Sequence, residues 1–208
     1  NTIPKALYID VQEGTTLDVT GLDDQRENPA VIGTLSLADG QTLLGYGTVE
    51  GRLIAAGGSI VSPGRSTFYP PGAPGVLSVI GNYTMDSGST LDIEIYGNTI
   101  DPDDIQRQEY DQVEVIGEVR LNEATLKPPG FNGYRPVAAD VFVIINNDGQ
   151  DPVVGTFVGL PEGTVFDNFL NSGLPFRISY VGGDGNDVVI AYSAVPVPTI
   201  VVGNVFRA

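Results

Sequence analysis

Apolar and polar residues alternate along most of this chain in short runs, each closed by Gly, Asn or Asp. Alternation with a period of two is the mark of a strand that buries one face. In the first third the runs are Ala6–Val11, Thr15–Thr20, Val31–Leu37, Thr42–Val49, Gly51–Ala56 and Gly58–Gly64. They meet at tight corners, Ala38-Asp39-Gly40-Gln41, Glu50-Gly51 and Gly57-Gly58. Corners this short suit a chain that coils in successive turns, with Gly where positive φ is needed. A β-sandwich is the structural competitor, because the period is not strict. Gly75–Gly81, Asn82–Gly97 and Asp111–Pro129 continue the pattern: Leu91, Ile93 and Ile95 alternate with Asp92 and Glu94, and Val113 and Val115 with Gln112 and Glu114. Helical periodicity is confined to the first half of Asp103–Ile116, enough for one short turn.

The last third changes character. Val141–Asn147 is almost continuously apolar and is followed by Gly155–Phe166, Phe176–Val181 and Asp187–Tyr192. The last two are joined by Gly182-Gly183-Asp184-Gly185-Asn186, a hairpin signal. The sequence therefore predicts an all-β chain: a right-handed parallel β-solenoid (β-helix) over 1–130, a hairpin-rich β cap over 131–192 continuing or closing it, and a C-terminal arm over 193–208. Pro128–Pro136 marks the first boundary.

Composition narrows the function. The 208 residues include 27 Gly and 15 Pro, and only 17% are charged, below the roughly 25% of an ordinary globular chain. Net charge is −16 with a pI near 4.1. Such acidity repels phosphate backbones and anionic lipid, so nucleic acid and membrane surfaces are poor partners. Its simplest use is solubility. Cys and His are both absent, which removes disulfides, thiolate sites, the commonest general base and the commonest zinc ligand. No run approaches the ~20 apolar residues of a membrane-spanning helix. A first residue that is Asn without a signal peptide reads as a mature, secreted chain.

The stretch Gly57–Gly97 carries an ordered series of turns: Gly57-Gly58, Pro63-Gly64, Pro74-Gly75, Gly81-Asn82 and Ser87-Gly88-Ser89, followed by Asp111, Val113, Val115 and Gly117. The series resembles the passenger-associated, or autotransporter-associated, β-strand repeat of bacterial surface proteins, over roughly Thr42–Tyr192. The departure is the insertion Arg65–Ala73, longer than the usual link between the Pro-Gly pairs. The resemblance implies a right-handed parallel β-helix used as an extracellular stalk or scaffold, and it brings no catalytic site.

Candidate chemistry is sparse. Gly182–Ile190 fits a calcium-binding nonapeptide pattern, which makes Asp184, Asn186 and Asp187 candidate calcium ligands. A single copy leaves half of a paired site missing, so a plain Gly-rich hairpin turn competes. Asp101, Asp103 and Asp104 form a second acidic loop without the spacing of an EF-hand. Asn82-Tyr83-Thr84 is a formal glycosylation sequon, accidental in a bacterial-looking chain. No base, nucleophile and stabiliser assemble, so the chain reads as non-enzymatic. The expected function is a structural subunit of an extracellular bacterial assembly, a filament, sheath or surface layer. Its partners would be copies of itself, joined through the apolar C-terminal arm 197–208, the N-terminal strand 3–11, or both. Two alternatives are an adhesin or carbohydrate-binding module using Tyr69, Tyr96 and Tyr134, and a calcium-responsive surface protein.

Overall fold

The computed structural model describes residues 7–21, 33–64, 73–101, 107–127, 129 and 132–194. Residues 3–6 of the N-terminal strand, the arm 197–208, Tyr69 and the acidic positions 103 and 104 lie outside them.

Strands recur in threes. The first face carries β1 (Tyr8–Val11), β4 (Thr42–Gly45), β7 (Ile60–Pro63), β10 (Thr90–Asp92) and β13 (Thr125–Lys127). The second carries β2 (Thr16–Asp18), β5 (Thr48–Glu50), β8 (Val76–Ile80), β11 (Gln112–Ile116) and β14 (Val141–Asn147). The third carries β3 (Thr34–Leu37), β6 (Arg52–Ala55), β9 (Tyr83–Met85), β12 (Val119–Asn122) and β15 (Val154–Thr156). Neighbours on every face are parallel. The fold is a three-sided parallel β-solenoid, and four turns carry the chain from β1 to β13. No α-helix occurs among the described residues.

Alternation explains why the turns stack. With a period of two, one residue in two faces inward, and parallel pairing sets it over its counterpart in the next turn. On the first face this builds the column Ile9–Leu43–Val61–Leu91–Leu126. On the third it builds Leu37–Ala55–Met85–Leu121. Most of these side chains are fully buried. Each fully buried Leu, Val or Met among them contributes about 1.5–3 kcal/mol of transfer free energy.

The corners are set by backbone geometry. Between the second and third faces Gly51, Gly81 and Gly117 lie in line at φ 126°, 149° and 144°. A Cβ on Gly81 would sit 2.2 Å from the carbonyl oxygen of Gly51, and one on Gly117 2.6 Å from that of Gly81. Only glycine lets the turns close to sheet spacing there. Between the third and first faces Gly40, Gly58 and Gly88 hold φ 77°, 82° and 83°, and the equivalent corner of the next turn places Glu123 at φ 57°. Buried Ser59 and Ser89 close two of these corners by donating Oγ–H to the carbonyls of Ala56 and Asp86.

The segment 132–192 first continues the solenoid and then adds a hairpin to its second face. β14 and β15 still pair in parallel with β11 and β12. Then β16 (Val165–Phe166), β17 (Phe176–Gly182) and β18 (Asp187–Tyr192) add to the second face in antiparallel order, β18 against β14. Phe142, Phe169, Phe176 and Tyr192 form a chain of ring contacts beneath this hairpin, with centroids 5.0 to 6.2 Å apart. Tyr180 ties the cap down, donating its hydroxyl proton to the Leu160 carbonyl and accepting from the Phe157 N–H.

Candidate functional site

Three places could carry function: the corner where loops are inserted, the turn Gly183–Asn186, and the two ends of the solenoid.

From the first face to the second, the turn after β4 is closed by Gly45, Tyr46 and Gly47 alone, whereas the connections after β7, β10 and β13 are all long. Three consecutive turns thus carry their extra residues at one corner in the order of the chain. Asp111 holds its base. The Asp111 carboxylate accepts the Gly75 N–H through Oδ1 at 2.9 Å and the Glu94 N–H through Oδ2 at 2.8 Å, which joins two successive turns. It is fully buried, and burial pushes its carboxyl well above the usual carboxylate range, with the charges of Glu94 and Asp92 adding to the rise against the two N–H bonds. Glu94 is raised as well, by burial first and then by Asp92, with Lys127 pulling the other way.

Asp140 plays the same part for the outer loops. It accepts the Tyr134 hydroxyl at 2.5 Å, the Val137 N–H at 2.8 Å and an Asn98 Nδ2 proton at 2.7 Å. Burial works to raise this carboxyl, but the three hydrogen bonds together hold it below its ordinary value. Tyr134 is consequently committed: its hydroxyl to Asp140 and its ring edge-on to Phe142. Of the tyrosines expected to meet sugars, Tyr96 stays 39% exposed. Thr99, Asp101, Arg107, Gln108 and Glu109 line an open depression of about 420 Å³ at this corner. Its described lining is polar, unlike the apolar walls of a small-molecule site.

The expected calcium ligands fall on the hairpin between β17 and β18. Asp184 is exposed, while Asn186 and Asp187 are buried against the solenoid. Asp187 Oδ1 accepts the Asn147 N–H at 2.8 Å, and the Asp184 N–H also donates to its carboxylate. Burial raises the Asp187 carboxyl, and the charge of Asp184 adds to that rise. The aspartate therefore clips the hairpin turn to β14. Asn186 reaches further, donating Nδ2 protons to the carbonyls of Gly149 at 2.6 Å and Asp151 at 3.2 Å. Sequence reasoning missed Asn147, whose Nδ2 donates to the same Asp151 carbonyl at 2.7 Å. The available signal was its place, with Asn146, at the end of a mainly apolar strand. Among the described residues no three His, Cys, Asp or Glu side chains gather closely enough to hold a metal ion by themselves. The sequon at Asn82 is absorbed by the fold: Tyr83 is buried, and Asn82 Oδ1 accepts the Glu118 N–H.

The ends differ. At the C-terminal end the antiparallel hairpin continues the second face. At the N-terminal end β1, β2 and β3 each terminate their sheet among the described residues, and Leu7 and Tyr8 beside that edge are 63% and 53% exposed. None of the three strands contains Pro or Lys, the residues that commonly blunt an edge. No protein-family model, no curated protein and no solved structure matches this chain.

Proposed function

We propose that this protein is a non-catalytic structural subunit of an extracellular assembly, a filament, sheath or surface layer, built by adding β-strands to the solenoid end. The observation that carries this reading is the asymmetry of the ends. Among the described residues β1, β2 and β3 end their sheets as parallel edges at one end, as β13 and β15 do at the other, where an antiparallel hairpin extends the second face beyond β14. A row of unpaired N–H and C=O groups is a template for strand addition. Because the cap overruns one face, simple head-to-tail stacking of one solenoid end on the other is obstructed, which favours a donated segment such as the arm 197–208. The buried acids of the loop corner support the non-catalytic part, since Asp111 and Asp140 are occupied in holding the backbone. With a net charge of −16, subunits repel one another until salt or cations screen them.

Electron microscopy and light scattering of the purified chain across salt and protein concentration test the reading. The expected result is a salt-promoted polymer that is lost when Val197–Ala208 is deleted. A strictly monodisperse monomer under all these conditions would overturn it.

A further inference from the structure

The second face stacks Leu17, Val49, Val79 and Val115 in one inward column, and the next position of that column is Asn147. An amide stands where four turns of aliphatic side chains lead the fold to expect a fifth. Asn147 is 1% exposed. Its backbone N–H and its Nδ2 are both used, on Asp187 Oδ1 and the Asp151 carbonyl. Its side-chain oxygen is buried with no donor. Asn186, 5% exposed, repeats the arrangement: Nδ2 is spent on the Gly149 and Asp151 carbonyls, and the side-chain oxygen is buried without a donor.

Both carboxamides are anchored through nitrogen on the same carbonyl oxygen, that of Asp151, so neither can turn its oxygen into a donor's place without losing that bond. The result is a pair of uncompensated oxygens at one junction, an arrangement that is costly in a buried site. The two segments that meet here, 146–151 and 182–187, contain Asp148, Asp151, Asp184 and Asp187 and no Lys or Arg. Asp187 is already occupied by two backbone N–H groups. A bridging water could donate to both amide oxygens but would leave the surrounding negative charge unopposed. A hard cation answers both needs, because calcium takes neutral amide and backbone oxygens together with carboxylates.

We propose that this junction between β14 and the β17–β18 turn is a calcium site whose fixed ligands are the side-chain oxygens of Asn147 and Asn186, with the exposed Asp184 adding charge at its mouth and Asp187 acting as a positioning residue. With so few carboxylates the affinity belongs in the weak class of extracellular modules, a Kd of roughly 0.1–1 mM. Calcium would then lock the cap onto the solenoid, independently of whether the subunits polymerise.

Isothermal titration of the full chain with CaCl2, after EDTA treatment and dialysis, tests the proposal alongside thermal unfolding with and without calcium. The expected result is saturable binding and a calcium-dependent rise in Tm. Asn147→Val restores the aliphatic column, so it should fold and lose the calcium response altogether. Asp184→Asn, on the exposed turn, should weaken binding about threefold or more, while Asp39→Asn, at a distant corner, leaves it unchanged. Absence of binding by the wild-type chain at ~10 mM calcium, well above this affinity class, would overturn the site and leave a bridging water. Equal binding by Asn147→Val would overturn it too.

Discussion

From β1 to β13 the interior is filled mainly by aliphatic side chains that meet their own counterparts one turn away, as in Ile9–Leu43–Val61–Leu91–Leu126. From β14 onward rings join the aliphatic side chains, with Phe142, Phe169, Phe176 and Tyr192 each meeting different partners at different angles. The solenoid body obtains order from repetition, and its cohesion is a sum of similar neighbour terms. The cap obtains order from a single arrangement that occurs once. In the body a lost side chain should be felt within a turn or two, whereas in the cap one lost ring removes support from several others.

The largest expected effect tests that contrast. Phe142→Ala should cost about 3–5 kcal/mol, because its ring meets Tyr110 below and Phe169 and Phe176 above. Denaturant unfolding followed by hydrogen exchange should show the β17–β18 amides losing protection before those of β8 and β11. Uniform loss across both regions would erase the distinction.

Next comes the glycine line of the body. Gly81→Ala forces a methyl to within 2.2 Å of the Gly51 carbonyl at φ 149°, for which we expect a loss of about 3 kcal/mol. Gly133→Ala, at φ 102° with nothing within 4 Å among the described residues, isolates the conformational part and should cost nearer ~1 kcal/mol. Similar losses in the two variants would mean that the close approach of turns is not what requires glycine.

The third test concerns pH. Because burial raises the Asp111 carboxyl in the fold, the folded state holds that proton more tightly than the unfolded chain does. Its contribution is fully present below the ordinary value of 3.8 and is lost as pH rises through the raised folded value. Within that window it declines by about 1.4 kcal/mol per pH unit. Asp111→Asn removes this decline. Unfolding of both chains from pH 3 upward should give stability curves that converge toward higher pH in relative terms, the variant losing less as pH rises. Parallel curves would refute the assignment.

The smallest effects are gains. Tyr83 buries a hydroxyl that has no partner, so Tyr83→Phe should add about 1 kcal/mol. Thermal unfolding of that variant would show the rise in Tm.

Much of the body was readable from residues alone. The alternating runs correspond to strands on all three faces, and the expected β-solenoid with a hairpin cap is the observed architecture. Thr42–Val49, read as one strand, divides into β4 and β5 because Gly45 and Gly47 leave room for a corner between them. The repeat itself was harder to see. Val49-Glu50-Gly51, Val79-Ile80-Gly81 and Val115-Ile116-Gly117 occupy the same place in consecutive turns, yet the inserted loops vary the distance between them. Spacing along the chain hides a period that exists only in space. The candidate calcium turn was found by its motif, but half of its polar surroundings was not. Asn147 belongs to another strand, and no local pattern joins residues that pairing of β14 with β18 brings together.

The loop corner has a use that chemistry does not exhaust. One turn crosses it with Gly45, Tyr46 and Gly47, and the next three cross it with long excursions, while the columns beneath keep their register. Length at this position is therefore uncoupled from the spacing of the body. Consecutive crossings lie about 4.8 Å apart, the separation of paired strands. The corner is a graduated rail: foreign peptides or probes inserted at Gly45–Gly47 would be placed at a known interval along the axis.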